Sequence, residues 1–463
     1  MCVPSTAVCF IVGAGTIDPA LRLSPAPDDL LIAADGGLAT MERMGIVPHL
    51  VIGDFDSLGA RPNFPNTVVL PTVKDDTDMC AAIRLGRERG YTRFALYGGT
   101  GGRLAHTLAN LQLLDWLARQ NCRGFLVGDG TVATAVYDGA LGAKPEEVVF
   151  TSCGTESDNW AIRGAVRVNR RVGKHIITTA IEHDAVLQPC RALEREGYEV
   201  TYLQPDRMGN IAVQQVADAL REDTALVSMM LVNNELGTIL PVAEVSKLLK
   251  QRKSAALLHC DAVQGFLHVP FTVTELGVDL LSVSGHKVHA PKGIGALYIK
   301  SGVKLPGMIV GGHQENDLRS GTEATAQIAA FAAAVSEGMA RFERDRAYLK
   351  ELKAYAVEKL TGEVAGLERI GNGEAPHILP VTLAGYKSEV VVRFLSDRGV
   401  CISSGSACHK GQPSHVFAAL NLPKKQMDGV LRISVSTYNT KEDIDALAAG
   451  LKQAKEQLFT SLS

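Results

Sequence analysis

A lysine placed directly after a buried strand has unusual chemistry open to it. The motif SGHK, Ser284 to Lys287, closes the apolar run VDLLSVSG. Burial disfavours the charged ammonium, lowers its pKa and frees the amine to form a Schiff base. Most lysines are plain surface groups, so the motif alone is weak. Asp261, in HCDAVQ, also stands at a strand end, 26 residues before Lys287. A carboxylate there can pair with a pyridinium nitrogen, keep it protonated and make the ring an electron sink. It can equally cap the turn that follows. The strand-end Asp and the strand-end Lys together say more than either does alone.

Other motifs of the same part add to this pair. TSCGTES, Thr151 to Ser157, joins a strand to a helix. Small residues followed by Thr and Glu at a helix start form an anion cradle, and the same residues suit a capping box. His183, in TAIEHDAV, follows another strand, where an imidazole can stack on a ring and move protons or simply cap a helix. Asn234, in VNNELGT, can bond a ring oxygen or serve as a turn residue. Cys408 stands in SSGSACHKGQPSH beside His409 and Lys410, a setting that favours the thiolate. Cys153, Cys190, Cys260 and Cys401 are expected to be inert and buried. Arg432, in VLRISV, can clamp a carboxylate in a bidentate pair or make a structural ion pair.

The first part of the chain carries a different chemistry. IGDFDS places Asp54 and Asp56 at a strand end, and KDDTD adds Asp75 and Asp78 at a helix start. Close carboxylates repel unless a cation neutralises them, which suggests Mg²⁺ with a polyphosphate. GGTGGRLAH, Gly98 to His106, supplies glycines and Arg103, suited to phosphate. Each motif alone reads as a solvated loop.

Elements to position these groups are visible in the pattern. AVCFIVG, LLIAAD, HLVIGD, TVVLP, RFALYGG and GFLVGD are apolar runs ending in Gly, Asp or Pro, with helical stretches at 37–44, 77–89 and 105–120. Alternating strands and helices imply a parallel sheet, with ligands beyond the carboxyl ends of its strands, where Asp35, Asp54, Asp56 and Gly98 fall. The second part repeats this with VVFTS, HIITTA, EVTYL, ALVSMMLV, AALLHCDA, LLSVSG and GALYI. A long helical region over 323–361 follows, with the Ala-rich stretch 326–335 expected to be buried. A smaller α/β unit around HILPVTL and LRISV closes with a helix at 441–458.

The chain has 463 residues, enough for about three domains. Lys plus Arg number 47 and Asp plus Glu 50, a net charge of −3 that gives no footprint for nucleic acid or an anionic membrane. No apolar run reaches a membrane span. MCVPSTAVCFIVGAG lacks a basic n-region and reads as a first core strand. Nine dispersed cysteines argue for reduced thiols and a cytoplasmic location, and without a CxxC pair a structural zinc site is not expected. Through Gly139 there are 11 basic residues, of which only Lys74 is a lysine; beyond it 19 of 36 are lysines. That break suggests two origins.

Taken in order, Gly154 to Glu156, His183, Asn234, Asp261, Gln264, SGHK, RSGT at Arg319 to Thr322, Cys408 and Arg432 resemble a cysteine desulfurase of the class V aminotransferase group. These are fold-type-I enzymes that use pyridoxal phosphate (PLP). The resemblance covers about Leu141 to Leu458. It implies that Lys287 anchors the cofactor and later moves protons, and that Asp261 holds its ring nitrogen. It also implies that Gln264 and Asn234 serve the ring oxygen and that His183 stacks on the ring. Gly154, Thr155, Ser284 and His286 would bind phosphate, with Thr322 donated by the other subunit of a homodimer. Arg432 would hold the carboxylate of L-cysteine, and Cys408 would take its sulfur for an acceptor such as an iron–sulfur scaffold protein. The family's N-terminal segment, with an Asp-Asn-Ala-Ala-Thr-Thr-like motif, has no counterpart; similarity begins at LGAKPEEVVFTS.

AADGG at Ala33 to Gly37, IGDFDS, KDDTD and GGRLAHTLAN resemble the catalytic domain of thiamine pyrophosphokinase, implying an ATP and Mg²⁺ site built on Asp35, Asp54, Asp56, Asp75, Asp78 and Arg103. That family has an acid where Ala105 stands and a C-terminal β-domain that would begin near Asp138. The expected order is a kinase-like α/β domain at 1–139, a PLP-dependent transferase large domain at 140–340 and a small α/β domain with the cysteine loop at 341–463. The favoured activity is the desulfurase. An impaired thiamine pyrophosphokinase and an inactive relic of a gene fusion are the other readings.

Overall fold

The computed structural model describes residues 6–15, 17, 23–55, 62–71, 77–100, 109–110, 113–114, 116–117, 120, 122–128, 131–133, 140–404 and 414–460. The chain divides into two compact units, Met1–Asp138 with Glu323–Ala332, and Gly139–Thr322 with Ala333–Ser463.

In the first unit the elements run β1 (Cys9–Val12), β2 (Leu30–Ala34), α1 (Gly37–Arg43), β3 (Leu50–Gly53), β4 (Thr67–Val69), α2 (Asp78–Glu88), β5 (Arg93–Tyr97), β6 (Arg123–Gly128) and β7 (Thr131–Ala133). The sheet order is β4-β3-β2-β1-β5-β6-β7. Pairing is parallel throughout, except that β7 runs antiparallel to β6. Strands β2 and β3 are buried at every residue, which is why they read as unbroken apolar runs rather than alternating ones. Ile11, Ile32, Leu50, Ile83, Phe94 and Leu96 form the core. Strand order reverses between β1 and β5, the place where such sheets open a crevice at their carboxyl ends. There Gly13 N–H donates to Tyr97 O and Gly15 N–H to Gly98 O, each at 2.8 Å. A Cβ on Gly15 would lie 2.4 Å from Gly98 O, so only glycine permits this approach. Of the helical stretch expected at 105–120, the described residues 109–110, 113–114 and 116–117 are helical.

The second unit begins with β8 (Val148–Thr151), α3 (Gly154–Val168), β9 (His175–Thr179), α4 (Asp184–Arg195), β10 (Glu199–Leu203), α5 (Val213–Ala219) and β11 (Thr224–Ser228). It continues with α6 (Val242–Gln251), β12 (Leu257–Asp261), α7 (Val273–Leu276), β13 (Leu280–Ser284) and β14 (Gly295–Ile299). The sheet order is β10-β9-β11-β12-β13-β14-β8. It is parallel apart from β14, which runs antiparallel to both neighbours. A parallel pair needs a crossover, usually helical; between β13 and β14 the connection 285–294 holds no helix beyond the short turn Gly285–Lys287, so the chain folds back beside β13. Trp160, Ile162, Ile176, Leu226, Leu280 and Leu297 pack the core of this lobe.

The smaller lobe follows the long helix α8 (Thr325–Glu363). It consists of β15 (Leu367–Arg369), β16 (Ile378–Leu383), α9 (Ser388–Ser396), β17 (Ser403–Ser404), α10 (His415–Ala419), α11 (Lys424–Asp428), β18 (Val430–Ser434) and α12 (Lys441–Gln457). Its antiparallel sheet, β15-β16-β18-β17, shares a core with α8, α9 and α12 through Leu360, Leu379, Leu395, Leu431 and Leu451.

Two expectations are corrected. The stretch 326–335 is helical but only Phe331, Ala332 and Val335 are buried, because one helix face packs and the rest does not. Cys401 is exposed and Cys153 half-buried, whereas Cys190 and Cys260 are buried as expected; Cys401 precedes the two-residue strand β17, and Cys153 is the N-cap of α3. Among the described residues no helix is long and apolar enough to cross a membrane.

Candidate active site

The carboxyl ends of β8, β12 and β13 converge on a cavity of about 290 Å³ in the second unit. Lys287 reaches it from the turn after β13, and Asp261 from the last position of β12. Lys287 is open to solvent on the cavity side, yet the atoms packed around its amine, and then the Arg432 charge, lower its pKa, with Asp261 opposing them. A lowered amine pKa is what Schiff-base chemistry requires. Asp261 is buried and its Oδ1 accepts from Val263 N–H at 2.9 Å, so it also closes the turn. Burial and then the Asp158 carboxyl push it up to about 7, while His183 and His259 pull it down. Such a carboxyl gains stability from a cationic partner placed against it.

The start of α3 forms one wall. Gly154 carries no side chain there because a Cβ would meet Val263 Cγ2 at 2.7 Å. Glu156 reaches back to Ser152 N–H at 2.8 Å and pairs with Arg319, so the first turn is capped and the N–H groups of Gly154 and Thr155 stay at the cavity. Ser284 Oγ lies 2.9 Å from His286 Nδ1 on the facing turn. Burial, then Lys287 and Lys292, lowers the pKa of His286. Together these residues make an anion site at a helix N-terminus.

His183 caps α4 as well as lining the cavity. Its Nδ1 accepts from Ala185 N–H at 3.1 Å, so a neutral ring carries its proton on Nε2. Gln264 lines the cavity and its Oε1 lies 3.1 Å from His377 Nε2. Arg432, in β18, donates from Nη1 to Asn234 O at 3.1 Å and carries the smaller lobe to the cavity. Arg432 Nε and Asn234 Oδ1 are buried without a hydrogen-bond partner among the described residues, as expected of groups that await a ligand.

The cavity therefore brings together Gly154, Thr155, His183, Asn234, Asp261 and Gln264 with Ser284, His286, Lys287 and Arg432. Thr322 is exposed and is not part of its wall. Cys408 lies outside the described residues, as do Asp56, Asp75 and Arg103. In the first unit Asp35 follows β2 in a left-handed conformation (φ 47°), Asp54 follows β3, and Asp78 opens α2 behind its Thr77 cap. Among the described residues no three His, Cys, Asp or Glu side chains are grouped to hold a metal ion.

Sequence reasoning missed several residues behind or in the cavity wall. Asp158 and Glu182 are buried carboxyls, and burial raises them to about 7 and about 8. His259 bridges Ser228 Oγ at 2.9 Å and Ser282 Oγ at 3.1 Å. His415 lines the cavity and its Nε2 donates to Glu182 O at 2.8 Å. His259, Glu182 and His415 stand inside the motifs quoted for Asp261, His183 and Cys408, but their residue types there gave no separate signal; the fold brings them to the site.

The donors fit PLP. There is an anion site at a helix start, a buried acid at the cavity wall for a ring nitrogen, and a lysine of lowered pKa in the turn between two strands. Residues 135–447 match the class-V aminotransferase family, and residues 26–126 match the thiamin pyrophosphokinase catalytic domain. The chain is 41% identical over 325 residues to the cysteine desulfurase IscS of Dictyoglomus turgidum, covering 69% of this chain and 82% of that one. It is 41% identical over 329 residues to the IscS of Methanosarcina thermophila, covering 69% and 79%. A solved NifS-like protein superposes with a TM-score of 0.65 at 34% identity, covering 69% of this chain and 85% of that one. By these matches the chain belongs to the class-V aminotransferases, in their cysteine desulfurase group.

Proposed function

We propose that this chain is a PLP-dependent desulfurase that converts L-cysteine to L-alanine and carries the sulfur on Cys408. The observation that carries this reading is the meeting of Lys287 and Asp261 in one cavity with Arg432 from the smaller lobe. PLP, when bound, supplies an electron sink for the bond changes at the substrate carbons. Lys287 would hold it and its Nζ would move protons at the substrate. Asp261 would keep the ring nitrogen protonated, Gln264 and Asn234 would serve the ring oxygen, and His183 would stack on the ring. The N–H groups of Gly154 and Thr155, with Ser284 and His286, would hold the phosphate, and Thr322 would complete the site of a partner subunit in a homodimer. Arg432 orients the substrate carboxylate through its guanidinium.

The Cys408 thiolate attacks the substrate sulfur. An S–S bond forms, the carbon–sulfur bond breaks, and its electron pair stays with the carbon, which takes a proton to give alanine. The persulfide then passes its outer sulfur to an acceptor thiol, such as that of an iron–sulfur scaffold protein in the cytoplasm. Titration of the purified chain with PLP should give a visible band that changes on addition of cysteine, with alanine as product and, once a thiol reductant is added to reduce the persulfide, sulfide. Lys287→Ala should lose the band. Cys408→Ser should keep the band and lose persulfide formation; sulfide release at the parent rate from that variant would overturn the assignment of the nucleophile.

For the first unit we read a nucleotide site at the β1–β5 crevice, supported by the close approach of Gly13, Gly15 and Gly98 and by Asp35 and Asp54 at neighbouring strand ends. ATP with Mg²⁺ is the expected ligand, and calorimetric titration tests it. The domain reading is 1–139, 140–340 and 341–463. The absence of counterparts to the desulfurase N-terminal segment and the kinase β-domain belongs to the same reading, that of two joined partial enzymes.

A further inference from the structure

Gln264 is held from behind by a residue of the smaller lobe. His377, which directly precedes β16, is buried, and its Nε2 lies 3.1 Å from Gln264 Oε1. We propose that His377 is a positioning residue that fixes the Gln264 amide with its NH₂ group toward the cavity. The inference rests on the cofactor reading above and deepens it at one contact.

The argument starts from what an amide can do. A glutamine end presents an acceptor on one side and donors on the other, and free rotation would let either face the cavity. A ring oxygen needs the donor. The carbonyl must then point away, and its partner there must be an N–H. His377 supplies this only as the tautomer with its proton on Nε2, and its Nδ1 has no hydrogen-bond partner among the described residues.

The histidine is itself fixed on several sides. Its ring stacks on that of His268, with centroids 3.9 Å apart. His268 Nδ1 is tied to Phe266 O at 2.9 Å, and the preceding Leu267 takes a left-handed φ of 57° to turn the chain back. Lys353 Nζ donates to Gly373 O at 2.6 Å and to Ala375 O at 2.7 Å, Ala375 N–H donates to Gly237 O at 2.9 Å, and Val435 N–H donates to His377 O at 3.0 Å. Burial first, then His268, Lys353 and Lys287, keep the His377 ring neutral. An anchored neutral donor whose one ring hydrogen bond among the described residues goes to the Gln264 carbonyl suits orientation better than proton transfer.

The test uses the full chain loaded with PLP. His377→Phe and His377→Leu remove the donor, while His377→Gln returns an N–H near the position of Nε2. Loss of one neutral hydrogen bond should weaken PLP binding about three- to tenfold. The pH midpoint of the visible band should move upward, since an oxygen that loses a donor holds its proton more tightly. His377→Gln should restore both values. In a Gln264→Ala background, His377→Phe should add little to either, because the two residues act as one unit. Parent values in both donor-less variants, or equal effects with and without Gln264, would overturn the positioning role. If the parent chain itself formed no band, the cofactor reading would fall and this inference with it.

Discussion

Glu182 is fully enclosed: Oε1 accepts from Thr179 Oγ1 at 2.8 Å and from Met230 N–H at 3.0 Å, and Oε2 has no hydrogen-bond partner among the described residues. Burial raises it to about 8 against those two bonds, and Asp261 and Asp158 add to the rise. The folded chain thus binds a proton at this site that the unfolded chain releases at ordinary carboxylate pH. The contribution to stability is full below the unfolded value and is lost as pH rises through about 8. Glu182→Gln keeps the shape and removes the titration. Thermal melts from about pH 6 to about pH 9 should show a flatter decline in Tm for the variant, by a few degrees at the alkaline end. A decline as steep as the parent's would place the pH dependence elsewhere. At this scale the sequence was informative where a residue ended a strand, as for Asp261, or closely followed one, as for Lys287 and Thr155. It was silent on Asp158, Glu182, His259 and His377, whose places are set by packing and whose residue types carried no separate signal.

The decisive element is the start of α3. Gly154 lets the helix end stand against Val263 and Ser284, leaving two backbone N–H groups at the cavity. Gly154→Ala would drive a Cβ to 2.7 Å from Val263 Cγ2, with Ser284 Cβ next at 3.4 Å. Such overpacking costs about 1–3 kcal/mol, so PLP affinity should fall about tenfold or more. Fluorescence titration with PLP checks this, and unchanged affinity would remove the helix start from the phosphate site. The strands of both large sheets were legible as apolar runs, except β7 at Thr131–Ala133, which no run covered. The reversal of β14 was not, because GALYI has the composition of its parallel neighbours; only the missing crossover helix after SGHK distinguishes it. The register of β18, which sets Arg432 opposite Pro380 and Ser403, is likewise a property of the folded sheet rather than of the motif LRISV.

At the scale of the whole molecule, each unit has its own sheet and its own core, as its lysine usage hinted. Separate cores can melt separately, and a single unfolding free energy then has no clear meaning. Scanning calorimetry should resolve two transitions, one raised by PLP and the other by ATP with Mg²⁺. Gly37→Ala, whose Cβ would fall 1.8 Å from Val12 O, should lower only the second. A single transition moved by both ligands would contradict that division. Within the second unit, the strap at Gly373–Ile378 has a consequence for access. Ala375 is bonded to Gly237, and Arg432 to Asn234. A Cβ on Gly373 would stand 2.0 Å from Leu236 O. Swinging the lobes apart like a clamshell would break all of these contacts at once, each hydrogen bond costing about 0.5–1.5 kcal/mol, so the strap favours entry and exit with the two lobes latched together.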